Sequence, residues 1–149
     1  MTSPAFDPHA LSSYHALWSV DTRWEDNDHY GHVNNVKYYS YFDTAVNGWL
    51  MESTGVDVRD LSAIGLVAES GCKYLASISF PDTLTIGIAV ERLGERSITY
   101  SLGLFVDGDD APTCAATCRF VHVYVDGQSR RPVAVPPEIA AVAAPLVVG

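Results

Sequence analysis

From Asn35 onward, Val36, Tyr39, Phe42, Val46, Trp49 and Leu50 recur at three- and four-residue steps, and Tyr38, Tyr41 and Ala45 widen the stripe onto adjoining faces. A helix with this spacing is apolar around most of its circumference and needs cover on most sides. Asn34 is a good N-cap and Gly55 a good stop, which bounds the helix. A single sheet wrapped around it supplies the cover, and the flanking segments have the composition to build one. Leu17–Trp24 holds strand formers with partial alternation ahead of the helix. Behind it come a long mixed run, Gly65–Phe80, then Leu84–Val90, Ile98–Val106 and Cys114–Val125, where Phe120, His122 and Tyr124 alternate against Val121, Val123 and Val125. Pro81-Asp82, Gly94-Glu95, Asp107-Gly108-Asp109-Asp110 and Asp126-Gly127 mark the turns. One strand, one long helix and four strands joined by short turns make an α+β antiparallel layout without repeats or linkers.

Length and charge narrow the classes. At 149 residues, 48% hydrophobic and 18% charged, the chain suits a single domain, 1–149, with a sizeable core. Residues 1–13 hold two prolines and little pattern, and read as a poorly ordered or clamping arm. Val133–Gly149 is apolar but interrupted by Pro136, Pro137 and Pro145 just after Pro132, so it reads as a packed tail or short helix. A formal charge of −9 argues against nucleic acid, which needs clustered Lys and Arg. An anionic ligand would have to be held locally, with Lys73, Arg92, Arg96 and Arg119 as candidates against the commoner role of solvated strand charges. Cys72, Cys114 and Cys118 are an odd count without C-x-x-C spacing, so neither a disulfide framework nor a zinc site is indicated, and the cytoplasm is the expected compartment. No targeting leader and no membrane span are expected.

The chemistry concentrates in Arg23–Tyr38, where acids, imidazoles and amides occupy a turn that runs directly into the helix. Backbone N–H groups at a helix start are free to face a substrate oxygen. An acyl carbonyl can be cleaved by a carboxylate acting as nucleophile or as the base that activates water, while hydrogen-bond donors hold the developing oxyanion. Asp28 precedes Gly31, whose missing side chain permits close backbone approach, and the N–H groups around Asn34-Asn35 supply the donors. Asp26 is read as a structural acid holding Arg23 or a backbone N–H, and His29 as an exposed turn residue. There is no G-x-S-x-G elbow, H-E-x-x-H, P-loop or dinucleotide-binding glycine pattern, and no cofactor is called for.

The string Asp26-x-Asp28-x-x-Gly31-His32-Val33-Asn34-Asn35-x-x-Tyr38 resembles the opening motif of hotdog-fold thioesterases of the 4-hydroxybenzoyl-CoA and acyl-CoA type, and is similar to that of acyl-ACP thioesterases. The resemblance is strongest over residues 20–50. It implies a five-stranded antiparallel sheet wrapped around one long central helix, two sheets joined edge to edge in a homodimer or a dimer of such dimers, and acyl sites along the subunit interface. It places catalysis on Asp28, with Asn35 supporting the carbonyl or the water and His32 orienting Asp28. Gly31, Val33, Asn34 and Tyr38 become pocket residues, Arg96 a phosphate contact, and Glu69 an acid lining the site from the second subunit. Where the helix of relatives often carries an acid and then Arg one turn on, Asp43 is followed here by Val46. The implied reaction is acyl-CoA plus water to a free acid and CoA. Hydrolysis of an acyl-ACP and non-catalytic acyl-thioester binding on the same fold are the alternatives.

Overall fold

The predicted helix runs Asn35–Thr54 (α1), and its ends obey local chemistry. Asn34 Oδ1 accepts the Val36 N–H at 3.1 Å, and Gly55 closes the helix in the left-handed conformation at φ +72°, its N–H donating to the Met51 carbonyl. A computed structural model describes residues 4–108 and 111–148, so residues 1–3 of the N-terminal arm, Asp109 and Asp110 of the third turn, and Gly149 of the tail lie outside the described residues.

The strands are β1 (Ala16–Asp21), β2 (Ala63–Tyr74), β3 (Thr83–Leu93), β4 (Ser97–Val106) and β5 (Thr113–Asp126). They form one antiparallel sheet in the order β1-β3-β4-β5-β2. β1 and β2, adjacent to α1 in the chain, are thus the two edges. Alternation sends Leu84, Ile86, Ile88 and Val90 of β3, Ile98, Tyr100, Leu102 and Leu104 of β4, and Phe120 and Tyr124 of β5 into one core. Tyr38, Tyr41, Phe42, Ala45, Val46, Trp49 and Leu50 of α1 meet them there. The proline-broken tail supplies α2 (Pro137–Ala143), whose Ile139 and Ala143 close the core at the C-terminal half of α1. On the other face of the sheet the Tyr14 ring lies over the paired Gly87 and Gly103, with Phe6 and Leu11 of the N-terminal arm packed beside it.

β2 stops at Tyr74, short of the Phe80 that composition suggested. The reason is tertiary. The Leu75 and Ala76 N–H groups both donate to the Ala115 carbonyl, which takes the chain off the ladder, and the Ile78 carbonyl is claimed by the Val33 N–H at 2.8 Å. β2 pairs only with β5, and most of its residues are exposed, Leu66 and Val67 among them. No helix among the described residues is long and apolar enough to cross a membrane.

Candidate active site

The acid-rich segment folds as a short hairpin. Trp24–Asp26 make one 3-10 turn, Asn27 and Val33 form an isolated antiparallel bridge, and the Asp28 N–H donates to the His32 carbonyl at 2.8 Å. At the tip, Asp28 Oδ1 accepts the Tyr30 N–H at 2.9 Å and the Asp28 carbonyl accepts the Gly31 N–H at 3.1 Å. Gly31 sits at φ +84°, and nothing lies within 4 Å of where its Cβ would stand. Its glycine is therefore set by backbone conformation rather than by a close approach within this chain. The tip is tied to the segment after β2 by Ser79 Oγ, which donates to the Gly31 carbonyl at 2.8 Å, and by the Phe80 N–H, which donates to Asn27 Oδ1 at 3.0 Å.

Asp26 anchors this hairpin to α1. It is 1% exposed; its Oδ2 accepts the Tyr41 hydroxyl at 2.6 Å and the Arg23 N–H at 3.0 Å. Its Oδ1 has no hydrogen bond among the described residues, only the Arg23 guanidinium at 3.6 Å and the Lys37 ammonium at 3.9 Å. Burial pushes its pKa up, but the Tyr41 and Arg23 hydrogen bonds and the two cations outweigh this and hold the carboxyl below its usual range. Tyr41 is pushed up by burial and by the Asp26 anion, so it stays a donor.

The same anchoring consumes most of the helix-start donors. The Asn34 N–H goes to the Asp26 carbonyl at 2.9 Å, Val36 to Asn34 Oδ1 at 3.1 Å, and Lys37 to the Asn34 carbonyl at 2.9 Å. The Asn35 N–H is left without an acceptor among the described residues. It points out of the positive end of a twenty-residue helix. Asp28 is half-buried and its Oδ2 is likewise without a partner. The hairpin tip thus offers a free carboxylate oxygen, and the start of α1, seven residues on, a free backbone donor.

The remaining predicted residues divide. Asp28 and Gly31 line an open recess of about 640 Å³ with Trp24, Asn27 and His29. His32 is exposed on the same hairpin, Val33 is buried, and Asn34 is the cap. Asn35 and Tyr38 face a different neighbour, Tyr74 at the end of β2. The Tyr74 hydroxyl donates to the Asn35 carbonyl at 3.2 Å, and the Tyr38 and Tyr74 rings meet edge to face at 4.9 Å. Glu69 points away from this cluster into an exposed ion pair with Arg119 at 2.8 Å, which also reaches Glu91 at 3.4 Å. Arg96 is exposed in the β3–β4 turn, its carbonyl accepting the Tyr124 N–H, at the opposite end of the sheet from Tyr74. Within one chain, then, neither Glu69 nor Arg96 joins Asp28.

Sequence reasoning gave Tyr39 only to the apolar stripe of the helix and Cys72 only to the cysteine count, and passed over Tyr74, although the three meet at the end of β2 beside Asn35. The Cys72 thiol is pushed down, chiefly by the Cys118 thiol directly across the ladder, and Tyr74 is pushed up to about 12 by burial and by the Cys72 and Tyr39 groups. Tyr39 stands in an apolar helix stripe and Cys72 and Tyr74 in a long mixed strand run, and neither pattern signals that they meet. Among the described residues no three His, Cys, Asp or Glu side chains gather to hold a metal ion.

Residues 22–142 match the family model described as the thioesterase-like superfamily. Among solved structures, the PA5185 protein from Pseudomonas aeruginosa shares 46% identity at a TM-score of 0.85, covering 91% of this chain and 94% of that one. The SAV2348 protein from Staphylococcus aureus, solved in complex with CoA, shares 20% identity at a TM-score of 0.78, covering 87% and 82%. The BH1999 gentisyl-coenzyme A thioesterase shares 20% identity at a TM-score of 0.73, covering 86% and 98%. No match was found among curated proteins.

Proposed function

The chain belongs to the thioesterase-like superfamily, and from that premise we propose that it hydrolyses an acyl-CoA thioester to the free acid and CoA, with Asp28 as the reacting carboxylate. The observation that carries this reading is a hairpin tip whose Asp28 Oδ2 has no hydrogen-bond partner among the described residues, leading directly into a helix start whose Asn35 N–H has none either. Asp28 either attacks the thioester carbon or draws a proton from the water that does. The carbonyl oxygen takes the negative charge and is met by the Asn35 N–H, with the Asn35 amide beside it. Collapse breaks the C–S bond: on the general-base route the thiolate takes the proton that Asp28 drew from water and the free acid leaves, whereas on the nucleophilic route the thiolate is protonated from solvent and a water then hydrolyses the Asp28 acyl anhydride to the free acid. His32, exposed on the hairpin, orients Asp28, while Gly31, Val33, Asn34 and Tyr38 shape the backbone and wall. Asp26 and Tyr41 act one step back, holding the hairpin against α1.

The CoA carrier is favoured by two structural neighbours, one crystallised with CoA and one described as a CoA thioesterase. The acting form is a homodimer. β2 presents an unpaired edge with exposed Leu66 and Val67, which a second copy covers by strand pairing. Antiparallel pairing of two β2 edges brings the opposite end of the second sheet, where Arg96 and its neighbours lie, toward the Asn35 end of this one. Arg96 would there meet the CoA phosphates, and Glu69 would reach the site from the second copy's β2. The three free thiols suit a cytoplasmic enzyme.

The test is release of free thiol from a panel of straight-chain and aromatic CoA esters and from acyl carrier protein esters. Turnover of CoA esters supports the reading. Turnover of carrier-protein esters alone would move the substrate class, and binding without thiol release would make this a non-catalytic member of the fold.

A further inference from the structure

A second recess lies at the other end of α1. It holds about 220 Å³ and is lined by Leu50, Leu61 and Ile139, with Asn47, His122 and Tyr124 supplying polar atoms. His122 is 3% exposed, and its Nε2 has no hydrogen-bond partner among the described residues. Behind it the fully buried Tyr100, edge-on to the imidazole at 5.2 Å, has an unpartnered hydroxyl as well. Buried polar atoms without partners are costly and rare, so an unpartnered imidazole nitrogen on a residue lining the recess calls for an occupant.

A ridge of α1 runs from the catalytic end to the recess. Asn35, Tyr39, Asp43 and Asn47 follow one another every four residues along it, turning by about 40° at each step around the helix. Tyr39 and Asp43 line a shallow trough with Val67, Ser70 and Phe120, and Asn47 lines the deep recess next along. At 1.5 Å per residue the recess lies roughly 18 Å from Asn35. The groups waiting there carry no charge. Burial holds His122 below its usual range against the pull of Asp43, and burial pushes Tyr124 up to about 12. The Arg59 guanidinium at the rim is taken by Asp57. With Asp43 in the trough, a carboxylate at this point would meet repulsion and no free cation.

We propose that this recess receives the far end of the acyl group, and that His122 and Tyr124 select chains bearing an uncharged oxygen function there, a hydroxyl or a ketone. The identity of the occupant rests on the thioesterase reading given above. Apolar walls accept the chain, and the imidazole and phenol pair with its terminal oxygen. A chain lacking that oxygen leaves the buried His122 Nε2 unsatisfied and is rejected on that ground.

The experiment compares straight-chain acyl-CoA esters from acetyl to palmitoyl with their ω-hydroxy counterparts, by thiol release, and the matching free acids by calorimetry. At the length that reaches the recess, the ω-hydroxy ester should show kcat/KM about 10-fold or more above the plain one. Tyr124→Phe and His122→Leu should erase the difference, and calorimetry with the wild-type protein should show the same preference for the ω-hydroxy acid. Equal kcat/KM for plain and hydroxylated chains of every length would overturn the proposal while leaving thioester hydrolysis standing. If no thioester is turned over, the function reading fails. The calorimetric comparison then decides the recess by itself, equal binding of the two acids rejecting it. Should His122→Leu not fold, Tyr124→Phe, which removes only a hydroxyl, carries the same comparison.

Discussion

Replacing Tyr41 with Phe removes one oxygen from the core, and the structure says what that oxygen does. Its hydroxyl donates to Asp26 Oδ2 at 2.6 Å, and the other carboxylate oxygen has only two cations at 3.6 and 3.9 Å to balance it. A hydrogen bond to a buried charge is worth about 1.5–3 kcal/mol, so Tyr41→Phe should cost about 2 kcal/mol at neutral pH. For a chain of this size that is a fall in Tm of roughly 4–8 °C. The pH dependence follows from the direction of the Asp26 shift. Because the folded carboxyl titrates below its unfolded value of about 3.9, its contribution is complete above that value and is lost as pH falls through the lower folded one. Losing the Tyr41 donor raises the folded value, so wild type and variant should differ most at neutral pH and converge in acid. Urea unfolding from neutral to acid pH reads this directly. The hairpin should loosen as well, since the Asp26 carbonyl and carboxylate hold the Asn34 and Arg23 N–H groups, and turnover should fall with stability. Equal unfolding midpoints at neutral pH, or a gap that widens in acid, would refute this account of Asp26.

Two other outcomes are expected. A Cβ at Gly48 would stand 2.4 Å from the Trp18 indole. Ala is the better helix former by about 1 kcal/mol, but displacing a packed ring costs about 1–3 kcal/mol, so Gly48→Ala should lower Tm, and a raised Tm would show that β1 yields easily. Paired substitutions Leu66→Lys and Val67→Lys on the β2 edge should give a monomer near 16.2 kDa by light scattering and lose turnover with it; a fully active monomer would end the claim of a shared site.

Local signals carried much of the reading. Asn34, Gly55 and the apolar period bound α1 because capping and burial act within a few residues, and Asp26 proved the structural acid because its spacing from Arg23 suits a turn. The limits were equally physical. Leu75–Phe80 has strand composition, yet its bonds go to Ala115 and Val33, partners no local pattern shows. The alternation Phe120, His122, Tyr124 tells which face of β5 is buried but not that the imidazole ends without a partner. That Glu69 pairs with Arg119 depends on strand register, which the bulge between Val67 and Glu69 resets.

The central claim is the role of Asp28, and one substitution isolates it. Asp28→Asn keeps the shape and the Oδ1 contact with the Tyr30 N–H but removes the anion. With the preferred acyl-CoA ester, kcat should fall at least ~100-fold, or roughly 2.7 kcal/mol, with KM little changed and the unfolding midpoint intact. Asp26→Asn, by contrast, should act mainly on stability. Near-wild-type kcat in Asp28→Asn, together with its loss in Glu69→Gln, would place the reacting carboxylate on the strand side and contradict the mechanism.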